Sequence, residues 1–288
     1  MKDIFKFLNS ARASAKLSQM SSVEPQQPKF ENPSLIVGWN KDAGQLSPKV
    51  IEYLNKQIGG ESFCEIEPMD FFSLAGVAVE RDAAQFPKGE FYYCQRSDLV
   101  IFKGSEPEFE RYRFLNAVSD LAQHYCVIKH LYTIGGTISP IAHTDTRKIL
   151  AVYNKKEFQE ELQGYGLEDM NWRGTPAISS YLLWVAKGKE IPGVSLWIQI
   201  PFYLAASEDF QAIKQTLSFL GKRFNLELDL KELDEQTQSQ NAKIDQLRQQ
   251  DSEINRCIGA LESGLSLSEE EQLSLIKAVS ECLEFGKS

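Results

Sequence analysis

Leu99-Val100-Ile101-Phe102-Lys103-Gly104 is an apolar run that ends in glycine, and two more of the kind, Leu35-Ile36-Val37-Gly38 and Leu131-Tyr132-Thr133-Ile134-Gly135-Gly136, flank it in the chain. Unbroken β-branched and aromatic runs suit strands covered on both faces, the mark of a parallel sheet in an α/β domain. Ligands on such sheets bind where the strands end. The residues after these glycines therefore decide what chemistry is open to the chain.

Between the runs the pattern alternates. Val50, Ile51, Leu54 and Ile58 recur at helical spacing until Gly59-Gly60, and Ser62 to Glu67 reads as the next strand. Short extended pieces, Gly76 to Val79 and Glu90 to Cys94, interrupt the α/β logic as an antiparallel insertion. The parallel pattern resumes with strand Asp98 to Lys103, a helix from Glu108 to Tyr125 with the stripe Phe114, Leu115, Val118, Leu121 and Ala122, and strands at Val127 to Ile134 and Ile149 to Tyr153. A helix follows at Glu157 to Gln163. Tyr181 to Ala186 looks strand-like, but the Thr175-Pro176 start and the Lys187-Gly188 end fit a short buried helix as well. Strand Val194 to Ile200 and helix Glu208 to Lys222 complete a core domain over residues 34–232.

Two appendages are expected. Residues 1–33 form a basic arm and linker: residues 1–30 carry five basic and two acidic side chains, Ile4 to Leu8 with Ala11 to Lys16 read as a short amphipathic helix, and residues 17–33 mix Ser, Gln, Pro and Glu. Residues 233–288 form an acidic helical hairpin. Residues 226–288 hold fourteen acidic and six basic side chains, Leu233, Ile244, Leu247, Ile254, Ile258 and Leu261 keep a near-heptad rhythm broken by Gln240 and Asp251, and Ser268 with Glu271 makes a capping box.

Composition excludes several roles. The 288 residues are 42% apolar with a net charge of -9, enough for a sizeable core and without the basic stripe that phosphate neutralisation demands, so no nucleic-acid partner is expected. No stretch reaches the roughly 20 apolar residues of a membrane span, and a soluble cytoplasmic protein is expected. Cys64, Cys94, Cys126, Cys257 and Cys282 are odd in number and lack any C-x-x-C spacing, which suggests neither a disulfide framework nor a zinc site. No metal and no cofactor is expected.

The crevice at the strand ends offers Gly38, Gly104, Glu106, Gly135, Gly136, Thr137 and Arg147. Gly38 to Gly44 sits where a phosphate loop would but lacks its Lys and Ser/Thr, and reads better as a strand-to-helix turn. Glu106 before Pro107 serves either the crevice or the first turn of the following helix. Gly135-Gly136-Thr137 could present N–H groups to an anion, with Arg147 and His143 approaching from the next loop. No nucleophile elbow accompanies them, so no catalytic residue is assigned. Pro201-Phe202-Tyr203, at a strand end among late aromatics, is the expected exposed partner surface.

The order of motifs, from Leu35 to Trp39, through Asp98 to Pro107 and Tyr132 to Gly136, to Pro192-Gly193-Val194-Ser195, Ile200 to Tyr203 and Leu226 to Asp229, resembles the proteasome assembly chaperone two family over residues 34–235. The resemblance implies a three-layer α/β/α fold with a mostly parallel, phosphorylase-like sheet, homo-oligomers in prokaryotic members, and a protein partner in place of catalysis. Archaeal relatives dock on proteasome rings through a terminal hydrophobic-Tyr-any-residue tail; here Phe285-Gly286-Lys287-Ser288 places Lys287 where that tyrosine would stand. Two functions follow as expectations. One is a non-catalytic, chaperone-like protein-binding module for a multi-subunit complex; the other is a small-ligand binder or enzyme handling a nucleoside or phosphate compound in the crevice.

Overall fold

A computed structural model describes residues 30–73, 78–80, 83–171, 174 and 176–284. The amino-terminal helix expected at residues 4–16 and the terminal Phe285 to Ser288 lie outside the described residues. The linker expected to run to Pro33 is already docked at its end. Phe30 meets Tyr93 edge-on with ring centroids 6.3 Å apart, and the Glu31 and Asn32 N–H groups donate to the Asp98 carboxylate at 3.1 and 3.2 Å.

The three glycine-ended runs become the centre of an eight-stranded sheet. β1 (Ser34–Trp39) lies between β6 (Leu99–Gly104) and β7 (His130–Ser139), parallel to both, with Ile36 opposite Ile101 on one side and Tyr132 on the other. β10 (Gly193–Pro201) continues the parallel order beyond β7. The insertion forms one edge, where β5 (Gly89–Cys94) and β2 (Glu61–Ile66) add antiparallel to β6. β3 (Ala78–Glu80) and β4 (Ala83–Gln85) pair apart from the main sheet.

At the opposite edge, β8 (Ile149–Tyr153) runs antiparallel to β10 and parallel to the short β9 (Leu167–Asp169). This corrects the parallel placement of Ile149 to Tyr153 in the sequence reading. Residues 140–148 hold no helix, and a strand reached without a crossover helix returns in the opposite direction.

Alternation along the central strands feeds two cores. Ile36, Leu99, Ile101, Tyr132 and Ile134 face the layer of α1 (Leu46–Ile58) and α5 (Phe210–Phe224), while Leu35, Val37, Val100, Phe102 and Leu131 face α2 (Arg111–Cys126) and α4 (Ile178–Gly188). Both faces are dry, which is why the runs show no polar alternation. α4 is the short helix expected at Tyr181 to Ala186. α1 stops at Gly59, whose φ of 66° is the left-handed value that glycine adopts without strain. A short helix, α3 (Lys156–Glu161), packs by β8 and β10.

The tail is three helices, not a hairpin: α6 (Lys231–Gln250), α7 (Ser252–Glu262) and α8 (Glu269–Glu284). The polar interruption at Asp251 explains the extra break. Asp251 ends α6 and caps α7, accepting from the N–H groups of Glu253 and Ile254 at 2.8 and 3.2 Å, while buried Gln240 donates to the Glu208 carbonyl at 2.8 Å. The capping box forms as read, with Ser268 N–H to Glu271 at 2.7 Å and Glu271 N–H to Ser268 at 3.3 Å. Leu233, Ile244, Ile258, Leu275 and Val279 belong to the same apolar cluster as Ile36 and Leu46, so packing continues across the boundary expected at residue 233. Among the described residues no helix is long and apolar enough to cross a membrane.

Candidate functional site

The chain leaves β1 toward the α1 face and leaves β6 toward the α2 face, so the gap between the ends of β1 and β6 is the switch point where an α/β sheet ordinarily takes a ligand. Here the chain fills it. Asn40 donates from its backbone N–H to the Gly104 carbonyl at 2.9 Å and from its side-chain amide to Ser105 Oγ at 3.2 Å, stitching the two loops across the gap. Trp39 is buried over the β1 end, its indole N–H on Ser179 Oγ at 3.0 Å and its backbone N–H on Ser47 Oγ at 3.0 Å.

The glycines serve close packing. A Cβ on Gly38 would stand 2.4 Å from Ile51 Cγ1, one on Gly104 2.7 Å from Phe102, one on Gly135 3.0 Å from Trp197, and one on Gly136 2.3 Å from the Ala43 carbonyl oxygen. At Gly136 the obstacle is backbone, which cannot swing aside. Gly136→Ala is expected to destabilise the fold by about 1–3 kcal/mol through overpacking, measurable as a lowered urea midpoint; an unchanged midpoint would show that the Ala43 loop yields.

The N–H of Gly136 already has an anion. It donates at 3.0 Å to Oδ2 of Asp42, which also accepts the Ser47 N–H at 2.9 Å at the start of α1. Thr137, next in β7, is half-buried. Burial pushes the Asp42 carboxyl up from 3.8 to about 6, outweighing the backbone donors that favour its charge. Its Oδ1 and the Asn40 Oδ1 are buried without a hydrogen-bond partner. Neither residue stood out in the sequence. Asp42 carried a weak signal, an acid five residues ahead of a serine at a helix start.

Arg147 is buried and already paired. It is 1% exposed, its Nε donates to Asp209 at 2.8 Å and its two other nitrogens donate to the carbonyls of Ala142, His143 and Asp145 at 3.2, 3.3 and 2.5 Å. Asp209 is itself the N-cap of α5, accepting the Ala212 N–H at 3.0 Å. Glu106 lies exposed in the loop before α2, whose first turn holds no acidic residue, so neither the convergence with Arg147 nor the helix-terminus role is realised.

Pro201-Phe202-Tyr203 is not an open surface. Pro201 is buried, Phe202 is half-buried against the α1 and α5 layer, and Tyr203 is 1% exposed in a turn that α8 packs upon. The Tyr203 hydroxyl accepts the His143 N–H at 2.6 Å and is hydrogen-bonded to His143 Nδ1 at 3.0 Å, while the buried Nε2 of the same ring has no partner. Burial lowers the affinity of His143 for a second proton, with Asp245, Arg248, Arg147 and Glu262 as the charges around it. Residues 201–203 taken alone predict an exposed strand end. The tail folds back over them, a contact that their own sequence does not encode.

Large aromatics lie exposed elsewhere, on the α2 and α4 face: Phe109, Tyr112, Tyr181 and Trp184. Among the described residues no group of His, Cys, Asp and Glu is placed to hold a metal ion, and the five cysteines are unbridged.

No curated protein matches this chain. Solved structures do match in fold. A protein of unknown function from Corynebacterium glutamicum superposes with a TM-score of 0.72 at 19% identity, over 87% of this chain and 96% of its own. A proteasome-assembly chaperone homologue from Mycobacterium tuberculosis gives 0.66 at 15% identity, over 74% and 94%. The archaeal proteasome activator PbaB of Pyrococcus furiosus gives 0.65 at 21% identity, over 82% and 99%. The family model of the PAC2 family matches residues 35–248, from the first residues of β1 to the end of α6, so the glycine-ended strands and the layers that bury them place this chain in the PAC2 family.

Proposed function

We propose that this chain is a non-catalytic, chaperone-like protein-binding module of the cytoplasm, which associates with itself and acts on the assembly of a multi-subunit complex. The observation that carries the reading is the closure of the sheet's switch point by Trp39, Asn40, Asp42 and Ser105, while large aromatics stay exposed on an outer helical face. Binding capacity then lies on the outer surface. Aromatic side chains with a polar tip are the residues that protein interfaces favour. Family membership supports the same role, as do the fold-level likenesses to a chaperone homologue and a proteasome activator. Five unbridged cysteines suit a reducing compartment.

The rival reading, a nucleoside- or phosphate-handling crevice, loses two of the donors it would use. The Gly136 N–H is held by Asp42 and Arg147 by Asp209, and an acid at the crevice repels phosphate. The test is affinity purification of the tagged full chain after cross-linking in its own host, with a thermal-shift panel of nucleosides and phosphate esters in parallel. The expected result is near-stoichiometric recovery of subunits of one assembly and no shift with the panel. Recovery of no protein, with a nucleoside or phosphate ester raising the melting temperature, would overturn the reading.

A further inference from the structure

Residues 140–148 join β7 to β8 without a helix, and His143 in the middle of them is fully buried. The Tyr203 hydroxyl bonds both its backbone N–H and its Nδ1, and Arg147 donates to its carbonyl, so the ring is held in one place. Its Nε2 meets no partner. A neutral imidazole leaves that nitrogen one hydrogen bond short in either tautomer. A proton added to the ring makes it a buried cation whose Nε2–H has no acceptor, a larger cost than the neutral orphan.

The tail seats against this loop. Thr144, the next residue, donates to Glu262 at the end of α7 at 3.1 Å. Arg248 of α6 grips the same carboxylate with two nitrogens at 2.8 and 3.1 Å, and its Nε donates to Asn255 of α7 at 3.1 Å. These bonds tie the corner where α6 breaks into α7 to the loop that carries His143.

The charges around the ring and its tyrosine come from every element packed there: Asp145 and Arg147 of the loop, Asp209 at the start of α5, Asp245 and Arg248 of α6, and Glu262 of α7. Most are engaged already. Arg147 pairs with Asp209 at 2.8 Å, Arg248 with Glu262 at 2.8 Å and with Asp245 at 3.9 Å, and Asp145 accepts the Ala142 N–H at 2.8 Å. Four carboxylates against two guanidiniums leave the surroundings net negative, so repulsion does not keep the ring neutral. Desolvation does, because none of the four accepts from Nε2. Lifting the corner lets water reach that nitrogen while the acids stay close, and an imidazolium is then well placed.

We infer that His143 is an acid-sensitive latch for the tail: proton uptake by its ring loosens the α6 and α7 corner from the 140–148 loop. This regulation goes beyond the protein-binding reading above, which stands whether or not the latch operates.

The sign follows from the two states of the ring. Burial lowers its proton affinity in the closed form, whereas an exposed imidazole titrates at 6.5. The closed corner is therefore unaffected above pH 6.5 and weakens as pH falls below it, with a ceiling of about tenfold in the opening equilibrium per pH unit for one proton. Arg248 holds the Glu262 carboxyl below its ordinary value of 4.5, so the bonds that seat the corner do not themselves titrate in this range.

Hydrogen exchange of the full chain at pH 7.5 and pH 5.5, corrected for the intrinsic pH dependence of exchange, tests the latch, with His143→Asn and Glu262→Gln alongside. On acidification the amides of residues 245–262 are expected to lose protection about 3- to 10-fold, while those of β1 and β6 lose none. His143→Asn, whose amide stands where the Nδ1 edge of the ring stood, should abolish the acid-dependent loss. Glu262→Gln should lower protection at both pH values and keep it. No loss in the unaltered chain, an equal loss in His143→Asn, or a loss spread evenly through the sheet overturns the inference. If His143→Asn does not fold, NMR titration of the histidine rings in the unaltered chain decides: a His143 midpoint below 6.5 is expected, and one at or above 6.5 overturns the latch.

Discussion

Arg147→Met is expected to cost about 3–5 kcal/mol of folding stability, the usual penalty for removing one member of a buried ion pair. Met nearly matches the length of the arginine stem, so the loss comes from charge and hydrogen bonds. Asp209 is fully buried and would be left without its cation, and the carbonyls of Ala142, His143 and Asp145 would lose their donors. Urea unfolding of the single variant, Asp209→Asn and the double variant measures this. The amide that Asp209→Asn introduces can still accept the Ala212 N–H, so the double variant is expected to regain much of what the single arginine change loses. A loss below about 1 kcal/mol for Arg147→Met, against the expectation for a buried pair, would return Arg147 to the ligand-binding role that its sequence position suggested.

Asp42→Asn is expected to gain stability relative to the unaltered chain as pH rises. The folded carboxyl titrates at about 6 and its unfolded counterpart at 3.8, so the folded state holds the proton more tightly. A group of this kind contributes its full stability below pH 3.8 and loses it as pH rises through about 6. The gap between 3.8 and about 6 corresponds to about 3 kcal/mol at about 1.4 kcal/mol per pH unit. The neutral amide has no such dependence. It retains one oxygen for the Ser47 and Gly136 N–H groups, and the fixed cost of its buried NH₂ cancels when stabilities are compared between pH 4 and pH 7.5. The difference between variant and unaltered chain should therefore move by about 2.4 kcal/mol in favour of the variant across that range, since part of the change lies below pH 4. A pH-independent difference would mean that the carboxylate is solvated and the switch point open to water.

Most of the architecture was legible because its causes are local. A strand dry on both faces must be apolar throughout, and Leu99 to Phe102 is; a helix must stop at a residue that accepts a left-handed turn, and Gly59 does. The ambiguous Tyr181 to Ala186 became a helix in which Leu182, Leu183, Val185 and Ala186 face inward while Tyr181 and Trp184 face out. Period alone could not separate this from a buried strand. The direction of β8 is not legible in its own residues, because strand direction depends on the connection and on the neighbour that the strand finds.

The candidate site was far less legible. Asp42 meets Gly136 across 94 positions, Arg147 meets Asp209 across 62, and Tyr112 meets Trp184 from a different helix. Nothing in the local pattern distinguishes a glycine that exposes its N–H from one that packs a carbonyl against its Cα, or a free arginine from one already paired. Such assignments depend on which distant group arrives.

The sequence by itself determined the glycine-ended central strands, the helices that cover them and the capping box at Ser268, because hydrophobic period and turn chemistry act within one element. The tertiary structure alone decided that the switch point is filled, that the tail covers Tyr203, and that aromatics from two helices meet on an outer face. These outcomes turn on how buried charges and apolar surfaces find partners across the chain, a matter of packing and desolvation that no single element encodes.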